Sequence, residues 1–217
     1  MWIKPVNTLL LRRRLVKPPV FVLCCLPWLT LVLGAFGLAG FSLGANPVEM
    51  LLHTCGKWAL NFLVITLCVT PLAHFSGWRA LFAYRRMLGL FAFAYACAHL
   101  AVYLLLDQTL LWSAIVEDIL KRPYITLGFS AWLLLLPLAL TSTQGMMRRL
   151  GKRWKLLHRL IYPASILVAW HFYWQVKQDV REPLYYVAAL ALLLGWRLAR
   201  RRSRRTAAAR VMDAPGK

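Results

Sequence analysis

The sequence predicts an all-α integral membrane protein, a bundle of six transmembrane helices with both termini in the cytoplasm. Three observations carry this. Of the 217 residues, 60% are hydrophobic and 16% charged, with mean hydropathy +0.58. A soluble domain of this length cannot hide so much apolar surface. The apolar residues gather in six stretches, about 19–41, 58–74, 87–106, 124–142, 159–176 and 184–199, each near the ~20 residues a spanning helix needs. The charge is also one-sided, with a net +20 and a pI of about 10.7.

The first stretch follows Lys4, Arg12, Arg13, Arg14 and Lys17. Its length exceeds the roughly 7–15 residues of a signal-peptide core, so it reads as a retained helix. The first four stretches contain no Lys, Arg, Asp or Glu, and the last two contain only Arg159 and Arg197. In lipid such segments must be helical, because the backbone has to satisfy its own hydrogen bonds. With the N-terminus inside, 22 of the 27 Lys and Arg fall in cytoplasmic segments. These are the N-terminal group, then Arg79, Arg85 and Arg86, then Arg148 to Arg159, and finally Arg197 to Lys217. Six of the seven acids fall outside, with Asp213 the exception. Both ends are therefore expected to be cytoplasmic. The expected organisation is a basic N-terminus (1–18), one transmembrane domain without internal repeats (19–199) and a basic, disordered tail (200–217). Most of the basic excess is explained by topology, with contact to anionic lipid a secondary role, and the hydropathy argues against a nucleic-acid partner. Trp58, Trp78, Trp112, Trp154 and Trp174 fall near predicted helix ends, as an aromatic belt requires. The five cysteines form no CxxC pair and are read as small apolar packing residues.

Five histidines remain, and three stand out by depth. His99 lies 13 residues beyond Arg86 on the third stretch, and His171 lies 13 beyond His158 on the fifth. At ~1.5 Å per residue both are ~20 Å from the inner edge. Two imidazoles at one level on neighbouring helices suit a bis-histidine b-type haem. His158 suits a second haem stacked below, faced on the third stretch only by Arg85 or Arg86, with His74 another candidate on the inner side. An arginine there would serve as an unusual neutral ligand or pair with a haem propionate. Thirteen residues turn an ideal helix so that the two histidines sit about 140° apart, and Pro163 between them is expected to change that phase. Gly89 and Gly128 are candidate close-approach points. Zinc is a weaker reading, since no HExxH or acidic cluster accompanies the histidines. No Ser/His/Asp set, Walker loop or GxGxxG is present.

At ALTSTQGMMRRLGKRWKLLHRLIYP (139–163) the sequence resembles the MsrQ (YedZ) family, haem-binding membrane subunits of the bacterial methionine sulfoxide reductase system, within the ferric-reductase-like transmembrane superfamily. GANPVEMLLHTCGKWAL (44–60), TPLA (70–73), RRMLGLFAFAYACAHL (85–100) and KRPYITLG (121–128) match as well. The resemblance implies a six-helix protein of the bacterial inner membrane that binds one or two b-type haems. It implies electron transfer to a periplasmic molybdopterin subunit, MsrP-like, in a heterodimer that repairs oxidised periplasmic proteins. Family haem ligands map onto His99, His158 and His171, and Arg85 joins them as a candidate contact. The family is also associated with FMN and the quinone pool, though no motif locates either site. His74 stands where the family has a basic residue and takes no ligand role.

Superfamily members that use NADPH carry a nucleotide domain after the bundle, whereas about 20 residues follow the sixth stretch here. The expected donor is therefore a membrane quinol or a separate cytosolic flavin reductase. The chain itself is expected to be an electron-transfer subunit, with the catalytic site in its partner. The competing readings are a haem-dependent metal-ion reductase and a non-haem transporter or assembly protein whose histidines bind metal or relay protons.

Overall fold

The computed structural model describes residues 6–176 and 179–212. Among these the regular structure is entirely helical. The elements are α1 (Val6–Ala35), α2 (Pro47–Phe75), α3 (Arg85–Val102), α4 (Trp112–Lys121), α5 (Pro123–Leu140), α6 (Gln144–Leu150), α7 (Lys152–Leu157), α8 (Ile161–Gln175) and α9 (Arg181–Met212). Short 3₁₀ turns at Arg79–Ala83 and His158–Leu160 precede α3 and α8, and one π-helical turn at Tyr103–Asp107 extends α3.

Four segments are long and apolar enough to cross a membrane: Lys17–Ala35, Pro47–Phe75, Arg85–Asp107 and Pro123–Leu140. The remaining two predicted spans fall on α8, which has 15 residues, and on α9, which meets arginine from Arg197 onward.

Where boundaries differ from the apolar runs, local chemistry explains it. Helix α1 stops at Ala35, six residues before its run ends, in a turn where Gly37, Ala39 and Gly40 have positive φ. Helix α2 starts well before its run. Asn46 caps it by accepting from the Glu49 N–H (3.3 Å), Pro47 takes the first turn, and Glu49 complements the helix dipole. Its 29 residues make it ~44 Å long, more than a ~30 Å bilayer core. Trp58 is therefore not at a helix end but inside α2, packed on Phe62 and Tyr95.

Helix α9 also corrects an expectation. It stays helical through Met212, in the part of the expected disordered tail (200–217) that is described, while 213–217 lie outside the described residues. Arginine and alanine are good helix formers, and a helix already nucleated upstream extends cheaply.

The bundle consists of two helical hairpins. Helix α2 packs along α3, and α5 along α8, while α9 lies against α2 and α8. The main core centres on Tyr95 and Leu67, fully buried, with Phe62, Leu63, Phe172 and Leu190 around them. Tyr95 donates its hydroxyl hydrogen to the Cys24 carbonyl (3.0 Å), which ties α1 to α3. A smaller cluster of Leu135, Leu138 and Ala164 joins α5 to α8.

Candidate functional site

A cavity of about 530 Å³ opens between the two hairpins, lined mostly by apolar side chains. His99 from α3 and His171 from α8 both line it, with ring centres 6.1 Å apart and planes at 78°. The structure thus brings together the two histidines that depth selects.

Each ring is fixed by the neighbouring hairpin helix. His99 Nδ1 donates to the Leu52 carbonyl on α2 (2.9 Å), and His171 Nδ1 donates to the Tyr124 carbonyl on α5 (2.6 Å). A carbonyl can only accept, so the proton must sit on Nδ1. In the neutral ring this leaves Nε2 with a free lone pair. A backbone carbonyl that fixes the tautomer in this way is the usual support of a metal-bound imidazole.

Glycine supplies the space. A Cβ at Gly56 would lie 3.0 Å from His99 Nδ1, and a Cβ at Gly128 would lie 2.8 Å from His171 Cε1 and Nδ1. Gly128 is a close-approach point, as expected. Gly89 is not, since a Cβ there would meet only Thr66 Cγ2 at an ordinary 3.7 Å. Gly56 escaped the sequence reading because it lies in the early turns of α2, outside the apolar run.

The two half-sites repeat one arrangement. Each histidine lies 47 residues beyond the carbonyl it bonds. Leu52, Gly56 and His99 move onto Tyr124, Gly128 and His171 by a single displacement of 72 residues. Ala59 and Leu63 map likewise onto Ala131 and Leu135, and all four line the cavity. The expectation of no internal repeat is therefore corrected at the level of geometry. It was hidden because other matched positions, such as Trp58 and Ser130, differ in size and polarity.

Two imidazoles with open Nε2 atoms can hold one metal centre between them. Their ring centres are close enough, at 6.1 Å, for both to reach a single bound group. Among the described residues no group of three or more His, Cys, Asp or Glu forms a metal cluster. The donor set and the apolar cavity therefore fit a metal carried in a planar macrocycle, haem, better than a bare ion.

His158 lies elsewhere, at the start of the 3₁₀ turn before α8. Its ring stacks on Trp154 (3.8 Å between centres), and its Nδ1 donates to the Trp154 carbonyl (3.1 Å). Burial holds its pKa below the ordinary histidine value, against the Trp154 carbonyl, and the nearby Arg85 charge lowers it further. No second histidine joins it. His74 instead accepts from Arg200 (3.3 Å) and packs near Trp196, while His53 pairs with Gln175 and Glu49. Arg85 lines a separate basic pocket.

Residues 55–169 match the family model described as "Ferric reductase like transmembrane component". A relative from Xanthomonas euvesicatoria pv. vesicatoria (strain 85-10), named protein-methionine-sulfoxide reductase heme-binding subunit MsrQ, is 55% identical over 174 residues, 80% of each chain. The chain belongs to the MsrQ family. Relatives of the same name from Xanthomonas oryzae pv. oryzae (strain MAFF 311018) and Azospira oryzae are 56% and 52% identical, the latter across 86% of this chain and 79% of its own. No solved structure matches the chain. Like other members of its transmembrane family, this MsrQ-family chain is a membrane protein.

Proposed function

We propose that this chain is the haem-binding membrane subunit of a methionine sulfoxide reductase, carrying electrons across the bacterial inner membrane. The observation that carries this reading is the pair His99 and His171, each held by a backbone carbonyl and facing one apolar cavity. The relatives' shared name supports both the haem and the sulfoxide reductase system.

In this reading six helices cross the membrane, α1, α2, α3, α5, α8 and α9, with both termini on the basic, cytoplasmic side. Residues 19–199 form the haem domain. His99 and His171 would hold the haem, each through its Nε2, and the haem would supply one-electron redox chemistry there. Leu52 and Tyr124 orient the two rings, Gly56 and Gly128 let them sit against the backbone, and the apolar lining keeps water out. Sulfoxide chemistry belongs to a periplasmic molybdopterin partner, MsrP-like. Electrons enter from a membrane quinol, or from a cytosolic flavin reductase with FMN, for which the basic connection Arg148 to Lys155 is a suitable docking surface.

The test is haem content. His99→Ala and His171→Ala should each lose most of the haem while the protein stays in the membrane. Near-normal haem and an unchanged dithionite-reduced Soret band in both variants would end this assignment. A purified chain with no Soret band at all would favour the transporter reading. A chain that reduces ferric chelates but not MsrP-like protein would favour the metal-ion reductase.

A second reading adds an inner haem at His158, with Arg85 as a ligand or propionate contact. The ~20 Å step between His158 and His171 along the helix favours it.

A further inference from the structure

At the end of the bundle that carries the basic residues, a second pocket of about 330 Å³ lies between α2, α3, α8 and α9. Arg85, Arg197, Arg200 and Arg201 line it, together with Thr70 and Tyr162, and among the described residues no carboxylate does. The ion pairs among the described residues, on Glu49, Glu117, Asp118 and Glu182, use other residues. Four guanidiniums around one small space repel one another unless an anion sits among them.

Three of them are pinned in place. Pro71 lacks an N–H, so the Leu67 carbonyl has no intrahelical donor. Arg197 Nη2 donates to that carbonyl (2.6 Å) and reaches Thr70 Oγ1 (3.4 Å). Arg200 lies over the Trp196 ring at 5.2 Å and bonds His74. Arg201 donates to the Tyr162 hydroxyl (3.2 Å) and lies over its ring.

The deciding residue is Arg197. It is 8% exposed, and among the described residues its buried Nη1 has no hydrogen-bond partner. A topogenic charge needs only to remain in water on one side of the membrane. It has no reason to hide a donor and leave it unused, since a buried unpaired charged group is costly.

We propose that this pocket binds a phosphoryl anion, with Arg197 Nη1 as its buried donor and Arg85, Arg200 and Arg201 around it. A tetrahedral phosphoryl group offers acceptor oxygens in several directions, which suits forks converging from separate helices. A carboxylate offers two in one plane. The cavity is larger than phosphate alone and leaves room for an ester substituent. The source is either the headgroup of an anionic phospholipid or a soluble phosphate ester. The proposal does not rest on the haem reading.

The experiment uses the full chain purified in neutral detergent. Native mass spectrometry would count phosphatidylglycerol and phosphatidylcholine adducts, and ³¹P line broadening would follow inorganic phosphate and glycerol 3-phosphate. Saturable retention of phosphatidylglycerol over phosphatidylcholine, undisturbed by the soluble probes, supports the site and assigns it to lipid. Retention displaced by glycerol 3-phosphate, or saturable broadening of that probe, supports the site and assigns it to a soluble ester.

Arg200→Gln/Arg201→Gln, at a half-buried and an exposed position, should weaken the favoured probe at least about tenfold. Arg197→Lys should weaken it while preserving the fold, as checked by elution profile and thermal midpoint. The proposal is overturned if no probe binds saturably or if both variants bind as the parent does. It is overturned equally if Arg200→Gln/Arg201→Gln strips haem, which would give these guanidiniums to haem propionates.

Discussion

A single methyl group separates the two half-sites from residues that only resemble them. At Gly128 an added Cβ would lie 2.8 Å from the His171 ring, so the imidazole must turn and give up its bond to Tyr124. That bond contributes about 1 kcal/mol net, and its larger role is to fix the ring's tautomer. Gly128→Ala should therefore lose most haem and lower the thermal midpoint. Gly56→Ala, at 3.0 Å from His99, should do the same less severely. Gly89→Ala meets ordinary contact only and should keep haem while gaining up to about 1 kcal/mol from helix propensity. Haem per chain and the thermal midpoint measure all three, and equal behaviour of Gly89→Ala and Gly128→Ala would refute the close-approach role. The pairing of His99 with His171 was legible in the sequence because depth along an apolar helix is countable, whereas Gly128 was one of two glycines that composition alone offered. Gly56 was not, since it sits outside the apolar run, although Asn46, Pro47 and Glu49 spell a helix start that would have reached it.

Arg197 on α9 serves as the missing donor of α2, replacing the N–H that Pro71 cannot provide. Arg197→Gln should leave the Leu67 carbonyl short of a partner at a cost of about 1–3 kcal/mol. Pro71→Ala restores an N–H at position 71, so in that background the same change should cost less, with a coupling of about 1 kcal/mol between the sites. Thermal or denaturant unfolding of the four proteins measures the cycle, and strict additivity would show that the two elements do not share this carbonyl. The 3₁₀ turn His158–Leu160 has a similar local logic. Three residues at ~120° in place of ~100° shrink the offset between His158 and His171 from about 140° to about 80°. Pro163 signalled a change of phase but not where it would fall. The short helices α4, α6 and α7 were illegible for a different reason. Their sequences mix charge with Leu, Met and Trp, so they form no apolar run. Helix α4 exposes Trp112 and Leu120 beside Glu117 and Lys121, the pattern of a helix lying in a membrane interface.

At the scale of the whole chain, two hairpins related by a 72-residue displacement close around one cavity, and the direction of each helix follows from the topology. If six helices cross, a cysteine placed in the 109–111 turn should react with a membrane-impermeant maleimide from the periplasm, and one in α6 should not. Reversed labelling would invert the electron path. The same displacement bears on the number of haems. It carries His99 onto His171 but carries Arg86 onto His158, so the inner level offers one histidine where the outer offers two. His158 is moreover occupied with Trp154 by both stacking and hydrogen bonding. An inner haem would thus be held by one imidazole and be the weaker of the two. His158→Ala should then halve the haem measured by pyridine haemochrome, slow reduction from a quinol or flavin reductase, and leave the two-histidine spectrum intact. Arg85→Ala should follow it in part if the guanidinium contacts that haem. If the parent chain carries a single haem and His158→Ala leaves it unchanged, His158 is a structural residue of the α7–α8 corner. Electrons would then have to reach the His99–His171 site from the inner surface without an intermediate carrier, ~20 Å along the helices.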